Sequence, residues 1–140
     1  MEEDISFKQA ISKAWKGFSR TIPMILGTLL LVSLASLIPK SFYITVFQGT
    51  FLDPLIGAII GSISAGNPIT SYIFGGEMIK NGVGLMAVTA FIVSWVTVGT
   101  IQLPAESMIL GKKFALIRNL LSFISAIIIG VLTAILIKII

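Results

Sequence analysis

Residues 53–80 read DPLIGAIIGSISAGNPITSYIFGGEMIK, and this stretch decides how the chain can fold. It is almost wholly apolar, yet each of the pairs at 53–54 and 67–68 joins a good N-cap residue to a proline, which is favoured at the first position of a helix. Gly66 stands where a preceding helix would stop. The pattern predicts two helices of about 18 Å each, too short to cross a membrane. They cover residues 54–65 and 68–79.

Two geometries fit this broken segment, which occupies residues 51–79. It is either a re-entrant hairpin that enters and leaves the bilayer on one face, or one long crossing helix broken at 66–67. With a hairpin, the basic residues divide seven to three across the membrane; with a continuous crossing they divide six to four, because the cluster at 112–118 changes sides. Since Lys and Arg collect on the cytoplasmic side, the hairpin is favoured.

Composition excludes a water-soluble domain. Of the 140 residues, 56% are hydrophobic and 11% charged, and the mean hydropathy is +1.04. The chain has no Cys and no His, so we expect no metal, no cofactor and no thiol chemistry, and no catalytic set of residues suggests an enzyme. The net charge of +4 comes from Lys and Arg beside apolar stretches, which points to membrane orientation and not to nucleic acid. The expected partner is the lipid bilayer, and the expected location is the cell membrane.

The remaining stretches complete the predicted architecture, an all-α integral membrane protein with three full crossings and one hairpin. An amphipathic helix that lies on the membrane surface is expected over 1–21, because Phe7, Ile11, Trp15 and Phe18 recur at helical spacing. Pro23 is expected to open the first crossing. The crossings are predicted at 22–38, at 83–110 with a break at 101–104, and at 114–138, all within one domain over 22–140.

The first break is the first candidate site. Free N–H groups and the positive dipole end at the start of a half-helix suit an anion or a carboxylate. Gly66, Asn67, Pro68 and Ser71, with the main chain of residues 69–70, are predicted to line it. The alternative is that the break only packs a kinked helix and that the Asn67 side chain caps it.

The second break supplies the other candidate residues. Gln102 and Glu106 flank it, and an acid within an apolar stretch suits proton coupling or cation binding, whereas a Glu in a first helical turn can also simply cap the helix. Thr97 is expected to add a hydroxyl to the same wall, although Thr often bonds its own helix. Arg118 has two options: to pair with Glu106, or by default to reach the lipid headgroups.

Three smaller patterns concern packing. Gly57 and Gly61 form a GxxxG pair, which allows close contact between helices. Glu77 and Lys80 lie one turn apart, at a spacing that permits an ion pair. Trp95 lies in mid-span, too deep for an interfacial belt, and is expected to serve in packing.

Residues 61–119 resemble the predicted permeases of the arsenical-permease-like family. The likeness is carried by the Gly and Pro break near 66–68, the basic KNG turn at 80–82 and the run GKKFALIR at 111–118. That family is named for an exporter of organoarsenicals and contains many members of unknown substrate. Its arsenical branch carries Cys-x-Cys-Gly at the first break, where this chain reads Ser-Ala-Gly-Asn at 64–67, so the solute does not carry over.

Full-length members of that family look like two similar halves, and this chain has the length of one half. The resemblance therefore implies one half of an inverted-repeat transporter, completed by a second copy in a homodimer. An odd number of crossings would let the two copies insert in opposite orientations, whereas the charge bias favours one orientation. Antiparallel and parallel dimers both stay open.

Together these observations predict a permease subunit that moves a small solute, with an anion as one option, through broken helices at a homodimer interface. A passive channel lined by the same breaks is the first alternative. An accessory membrane subunit without conduction of its own is the second.

Overall fold

The computed structural model describes residues 7–64 and 66–139, and all the regular secondary structure within them is helical. The all-α class predicted from the sequence is therefore confirmed for this part of the chain. The helices are α1 (Phe7–Ala35), α2 (Lys40–Val46), α3 (Asp53–Ile63), α4 (Pro68–Lys80), α5 (Leu85–Thr97), α6 (Leu103–Leu110) and α7 (Lys112–Ile139).

Helix α1 is continuous over 29 residues, with Pro23 in its interior. The predicted boundary between a surface helix over 1–21 and a crossing over 22–38 is therefore wrong. Proline removes one main-chain hydrogen bond and distorts a helix locally, but α1 continues on both sides of Pro23. Residues 1–6 of the predicted surface helix lie outside the described part of the chain. Helix α1 belongs to a compact unit that ends at Leu37.

The second compact unit begins at Ile38, and its first helix is α2, which the sequence reading missed. Helix α2 buries Tyr43, and together with Phe47 it packs into a core with Met78 and Val83. Burial, and secondarily the charge of Glu77, raises the pKa of the Tyr43 phenol. The ring therefore serves as a neutral core group at physiological pH.

Helices α3 and α5 run parallel in close contact. Gly57 lies against the Ala87 carbonyl and Gly61 against the Phe91 carbonyl, so both helices advance in the same direction. A Cβ at either glycine would collide with the facing carbonyl oxygen. In the same interface the buried Ser94 hydroxyl donates a 2.7 Å hydrogen bond to the main-chain oxygen of Ala58. The GxxxG pair thus brings two backbones together, as small residues do in membrane helix packing.

Helix α4 runs in the opposite direction along α5. At its beginning it faces the end of α5, because the Gly66 carbonyl just before α4 accepts a hydrogen bond from the Trp95 indole. Further along, Gly75 contacts Val88 and Ile92, nearer the start of α5. The chain therefore reverses between α3 and α4, and these two helices form a hairpin and not one continuous helix.

Helix α7 is antiparallel to α5. Gly130 packs on Met86 and Ala90 near the start of α5, whereas Arg118 lies beside Gly99, just after its end. Helix α6 packs on the first turns of α7 through Glu106, which contacts Arg118. Helices α5 and α6 thus follow one another along α7 as the two pieces of a broken helix. The break, residues 98–102, starts three residues earlier than the predicted 101–104.

Among the described residues, α7 is the one helix with the length and apolar character needed to cross a membrane. Helices α3 and α5 are apolar but shorter, with 11 and 13 residues. The three full crossings predicted from the sequence are thus reduced to one helix of sufficient length in this part of the chain.

Asp53 holds the turn before α3. It was predicted to be the N-cap of this helix, but it is the first helical residue, and Leu52 occupies the cap position. Its buried carboxylate accepts the Gly49 N–H and the Thr50 hydroxyl, each at 2.9 Å. The carboxylate therefore stabilises the preceding turn, because it binds groups on the N-terminal side of the helix.

Replacing this carboxylate should destabilise the fold. Asp53→Ala removes both hydrogen bonds to a buried charged group, and we expect it to lower the free energy of unfolding by about 2 kcal/mol. Thr50→Val removes one of them, and we expect a loss of about 1 kcal/mol. Unfolding in mixed detergent micelles measures both values. Equal losses for the two variants would contradict a carboxylate that holds two partners.

Candidate functional site

A cavity of about 210 Å³ lies where four helix ends meet. Helices α3 and α5 end there, and α4 and α6 begin there, because the hairpin turn and the α5–α6 break lie at the same level of the bundle. The break contributes residues 98–102, and the other lining residues are Ser64, Gly66, Pro68, Trp95 and Val96. Of the residues predicted for a site, the cavity brings together Gly66, Pro68 and Gln102.

Two hydroxyl groups close the end of α3. The Ser64 hydroxyl donates to the Ile60 carbonyl at 2.7 Å, within the last turn of the helix. The Thr100 hydroxyl donates to the Ser62 carbonyl at 2.5 Å and so ties the α5–α6 break to the end of α3. Main-chain oxygens that helix ends leave without internal partners are thereby satisfied by side chains of the same unit.

At the start of α4 the amides are already bonded. The Asn67 side-chain oxygen accepts the Ile69 N–H at 3.0 Å, and the Asn67 carbonyl accepts the Thr70 N–H at 2.9 Å. Pro68 has no N–H to offer. The predicted anion site at the main chain of residues 69–70 therefore lacks free donors, and the alternative, a capping role for Asn67, describes this terminus.

Trp95 forms the wall over the hairpin turn. Its indole Nε1 donates a long, 3.4 Å hydrogen bond to the Gly66 carbonyl. The ring stacks on Phe74 and meets the edge of Phe91 at 5.3 Å between centroids. A Cβ at Gly66 would lie 3.1 Å from the indole ring, so glycine leaves the room that Trp95 occupies. Trp95 packs as predicted, but the sequence did not indicate that it also lines the cavity.

Two predicted site residues lie elsewhere. Ser71 is completely buried, and its hydroxyl donates to the Pro68 carbonyl within α4. The Thr97 hydroxyl donates to the Val93 carbonyl of its own helix. Neither lines the cavity, because each side chain is directed into main-chain bonding of the helix that carries it.

Glu106 takes part in an ion pair. Its Oε1 accepts a 2.6 Å bond from Arg118 Nη2, and its Oε2 lies 3.3 Å from the Asn119 amide nitrogen. The default expectation that Arg118 reaches lipid headgroups is wrong, and the pairing alternative is right. The guanidinium also lies against the cavity wall, since a Cβ at Gly99 would lie 3.4 Å from Nη2 and 3.3 Å from Gln102 Oε1. No periodicity could have indicated this contact, because its partners lie on different helices.

The arrangement can hold a small polar molecule. Its wall combines the Gln102 amide, the Trp95 indole and main-chain groups at helix ends, with the Glu106–Arg118 pair beside it. Within the described residues no group of three His, Cys, Asp or Glu side chains could hold a metal ion. Family models, curated proteins and solved structures give no match to this chain.

Proposed function

We propose that this chain is a membrane permease subunit that binds a small polar solute in the 210 Å³ cavity and moves it across the bilayer as a homodimer. The observation that carries the proposal is the meeting of a helical hairpin turn and an interrupted helix at one polar cavity. In a bilayer, irregular main chain persists where protein or a water-filled cavity surrounds it, and transporters use such interruptions to hold solutes.

A lipid environment accounts for the surface. The outer face of α7 exposes about half or more of each of several large apolar side chains, among them Leu120, Leu121, Ile128 and Leu132. In water such a face would be a large unfavourable patch, whereas in a bilayer it faces acyl chains at no cost. In α1 the large apolar side chains Phe7, Ile11, Trp15 and Phe18 are exposed as well, as expected where a helix meets lipid.

If α7 crosses the membrane, the position of the cavity along α7 gives its depth in the bilayer. It lies level with Arg118, six residues after the beginning of α7 at Lys112, which is about 9 Å along the axis. A crossing helix of 28 residues is about 42 Å long, so the cavity lies off the midplane, in the half of the bilayer nearest Lys112 and Lys113. The excess of basic residues at that end makes it the cytoplasmic half.

The hairpin fits the same geometry. Helices α3 and α5 are about 16 and 20 Å long, so each penetrates the bilayer from one side and stops at the cavity. One copy thus supplies a solute site that is reached from one side of the membrane. A second copy would supply the remaining path, which agrees with the likeness to half of an arsenical-permease-like protein.

Solute flux tests this function. Proteoliposomes that contain the chain should take up glycerol or methanesulfonate faster than empty liposomes, as measured by stopped-flow light scattering. Val96→Trp places a large ring in the cavity, and we expect it to reduce the flux at least about tenfold by steric occlusion. Leu132→Trp is the control, because Leu132 is equally exposed, at 51% against 48%, but lies on the outer face of α7.

The concentration dependence separates the permease from its alternatives. A permease saturates as solute concentration rises, whereas the flux through a passive pore stays proportional to concentration. No flux for either solute, with the protein folded, would contradict the proposal and favour an accessory subunit. Equal effects of the two tryptophan variants would show that solute does not pass through this cavity.

A further inference from the structure

The Glu106–Arg118 ion pair lies beside the cavity, behind the wall that Gly99 forms. A Cβ at Gly99 would lie 3.4 Å from Arg118 Nη2, and Gly99 and Gln102 both line the cavity. Exposure of 39% for the Arg118 side chain and 17% for Glu106 shows that the pair is partly open to its surroundings. A positive charge beside this wall is thus held by a carboxylate of the same chain.

The pair uses only part of what the guanidinium offers. The edge formed by Nε and Nη2 can bind both oxygens of one carboxylate through two parallel hydrogen bonds. Glu106 takes Nη2 alone, and within the described residues the buried Nε has no hydrogen-bond partner. The neighbouring Asn119 is 6% exposed, and its Oδ1 is also buried without a partner in this part of the chain. Buried polar atoms of this kind are uncommon and call for an explanation.

We propose that Arg118 is the anion-recognition residue of the cavity and that Glu106 is its resident counter-ion, which a solute oxyanion displaces. The inference rests on the proposed function and names the solute class: a small monovalent oxyanion, a carboxylate or a sulfonate. Such a group would use both Nε and Nη2, so that the exchange adds one hydrogen bond and keeps the guanidinium paired throughout.

The cavity has room for a small solute. A volume of 210 Å³ equals that of roughly seven water molecules in the liquid, at about 30 Å³ each. An oxyanion with a short organic substituent fits this space. The main-chain N–H groups of residues 69 and 70 do not compete with Arg118 for this oxyanion, because they already donate hydrogen bonds to Asn67.

The chain contains its own reporter for a test. It has two tryptophans, Trp15 in α1 and Trp95 in the cavity wall, so Trp15→Phe leaves Trp95 as the single tryptophan, which can be excited selectively over the two tyrosines. In this background, quenching by iodide reports anions in the cavity, and quenching by neutral acrylamide reports access alone. The measurements use the full chain in detergent micelles at constant ionic strength.

Opposite effects are expected from the two halves of the ion pair. Glu106→Gln frees the guanidinium, and we expect the iodide quenching constant of Trp95 to rise about threefold, because a local positive charge concentrates anions. Arg118→Gln removes the charge, and we expect iodide quenching to fall below that of the parent. Acrylamide quenching should stay the same in both variants, which also shows that the cavity is intact.

The two-bond geometry has a separate test. In the parent, millimolar methanesulfonate should protect Trp95 from iodide but not from acrylamide. Arg118→Lys keeps the charge but offers no planar edge, so we expect iodide quenching to persist and the protection by methanesulfonate to be lost.

Three outcomes would overturn the inference. Shifts of iodide quenching in the same direction for Glu106→Gln and Arg118→Gln would mean that the pair is only structural. No protection by methanesulfonate would mean that the charge attracts ions without binding an oxyanion. Full protection in Arg118→Lys would mean that the solute does not need the edge formed by Nε and Nη2 of Arg118. In each case the permease proposal would still hold if acrylamide quenches Trp95 and glycerol crosses the proteoliposome membrane. If neither is observed, the permease proposal is contradicted as well.

Discussion

Gly57→Ala and Gly61→Ala should each lower the free energy of unfolding by about 3 kcal/mol, the upper range for overpacking a tight interface. A single methyl group suffices because the obstacle is backbone: the Ala87 and Phe91 carbonyls face these glycines directly. Neither can move without shifting α5 as a whole. Each substitution should therefore separate α3 from α5 and break the hydrogen bond from Ser94 to Ala58.

Gly76→Ala is the matched control. Gly76 also lies in a short apolar helix, but a Cβ there meets nothing within 4 Å. Because alanine is the better helix former, we expect this variant to be as stable as the parent or slightly more so. Unfolding by titration with sodium dodecyl sulfate in mixed micelles compares the three proteins. If Gly57→Ala and Gly76→Ala unfold alike, the close contact between α3 and α5 is contradicted.

The second large effect is expected from Trp95→Ala. The substitution removes the stack on Phe74, the edge contact with Phe91 and the hydrogen bond to Gly66. Loss of a large aromatic side chain from packed surroundings costs 3–5 kcal/mol when burial is complete; because Trp95 is partly exposed, we expect about 3 kcal/mol. The loss should be concentrated at the hairpin turn, which the indole covers.

Hydrogen exchange measures where that loss falls. In Trp95→Ala the amides at the end of α3 and the start of α4 should exchange faster, while those in the second half of α7 keep their protection. Trp15→Ala is the control, since Trp15 is 72% exposed and makes no aromatic contact among the described residues. Faster exchange spread evenly over the second unit would contradict a specific role for Trp95 at the turn.

The sequence predicted the two short helices α3 and α4 well because their signals are local. Pro68 and its Asn cap fix the beginning of α4, and the stop at Gly66 and the proline at 54 place α3 within two residues of its observed bounds. These features depend on a few neighbouring residues, and local chemistry suffices to find them.

The errors have physical causes of their own. Helix α2 has seven residues, too few for a hydrophobic period to be visible, and it begins directly after the predicted first crossing at 22–38. Pro23 was read as a boundary although a long apolar helix can continue through it.

Half of the candidate site depends on the tertiary fold. Gly99 and Val96 line the cavity because α5 ends beside the hairpin turn. No pattern in the sequence predicts that these two parts of the chain lie side by side. The ion pair joins residues 12 apart on two helices. Both options for Arg118 were open from the sequence, and only the packing of α6 on α7 decides between them.

The parallel contact of α3 and α5 has a consequence for biosynthesis. The residues that meet, such as Ala58 and Ser94, are 36 positions apart, and the whole of α4 is made between them. When α3 leaves the ribosome, α5 has not yet been synthesised. The glycine face of α3 therefore has no helix to pack against until α4 and α5 have both been made. The hairpin therefore cannot be completed at the moment of its own translation, and its assembly is postponed until α5 emerges.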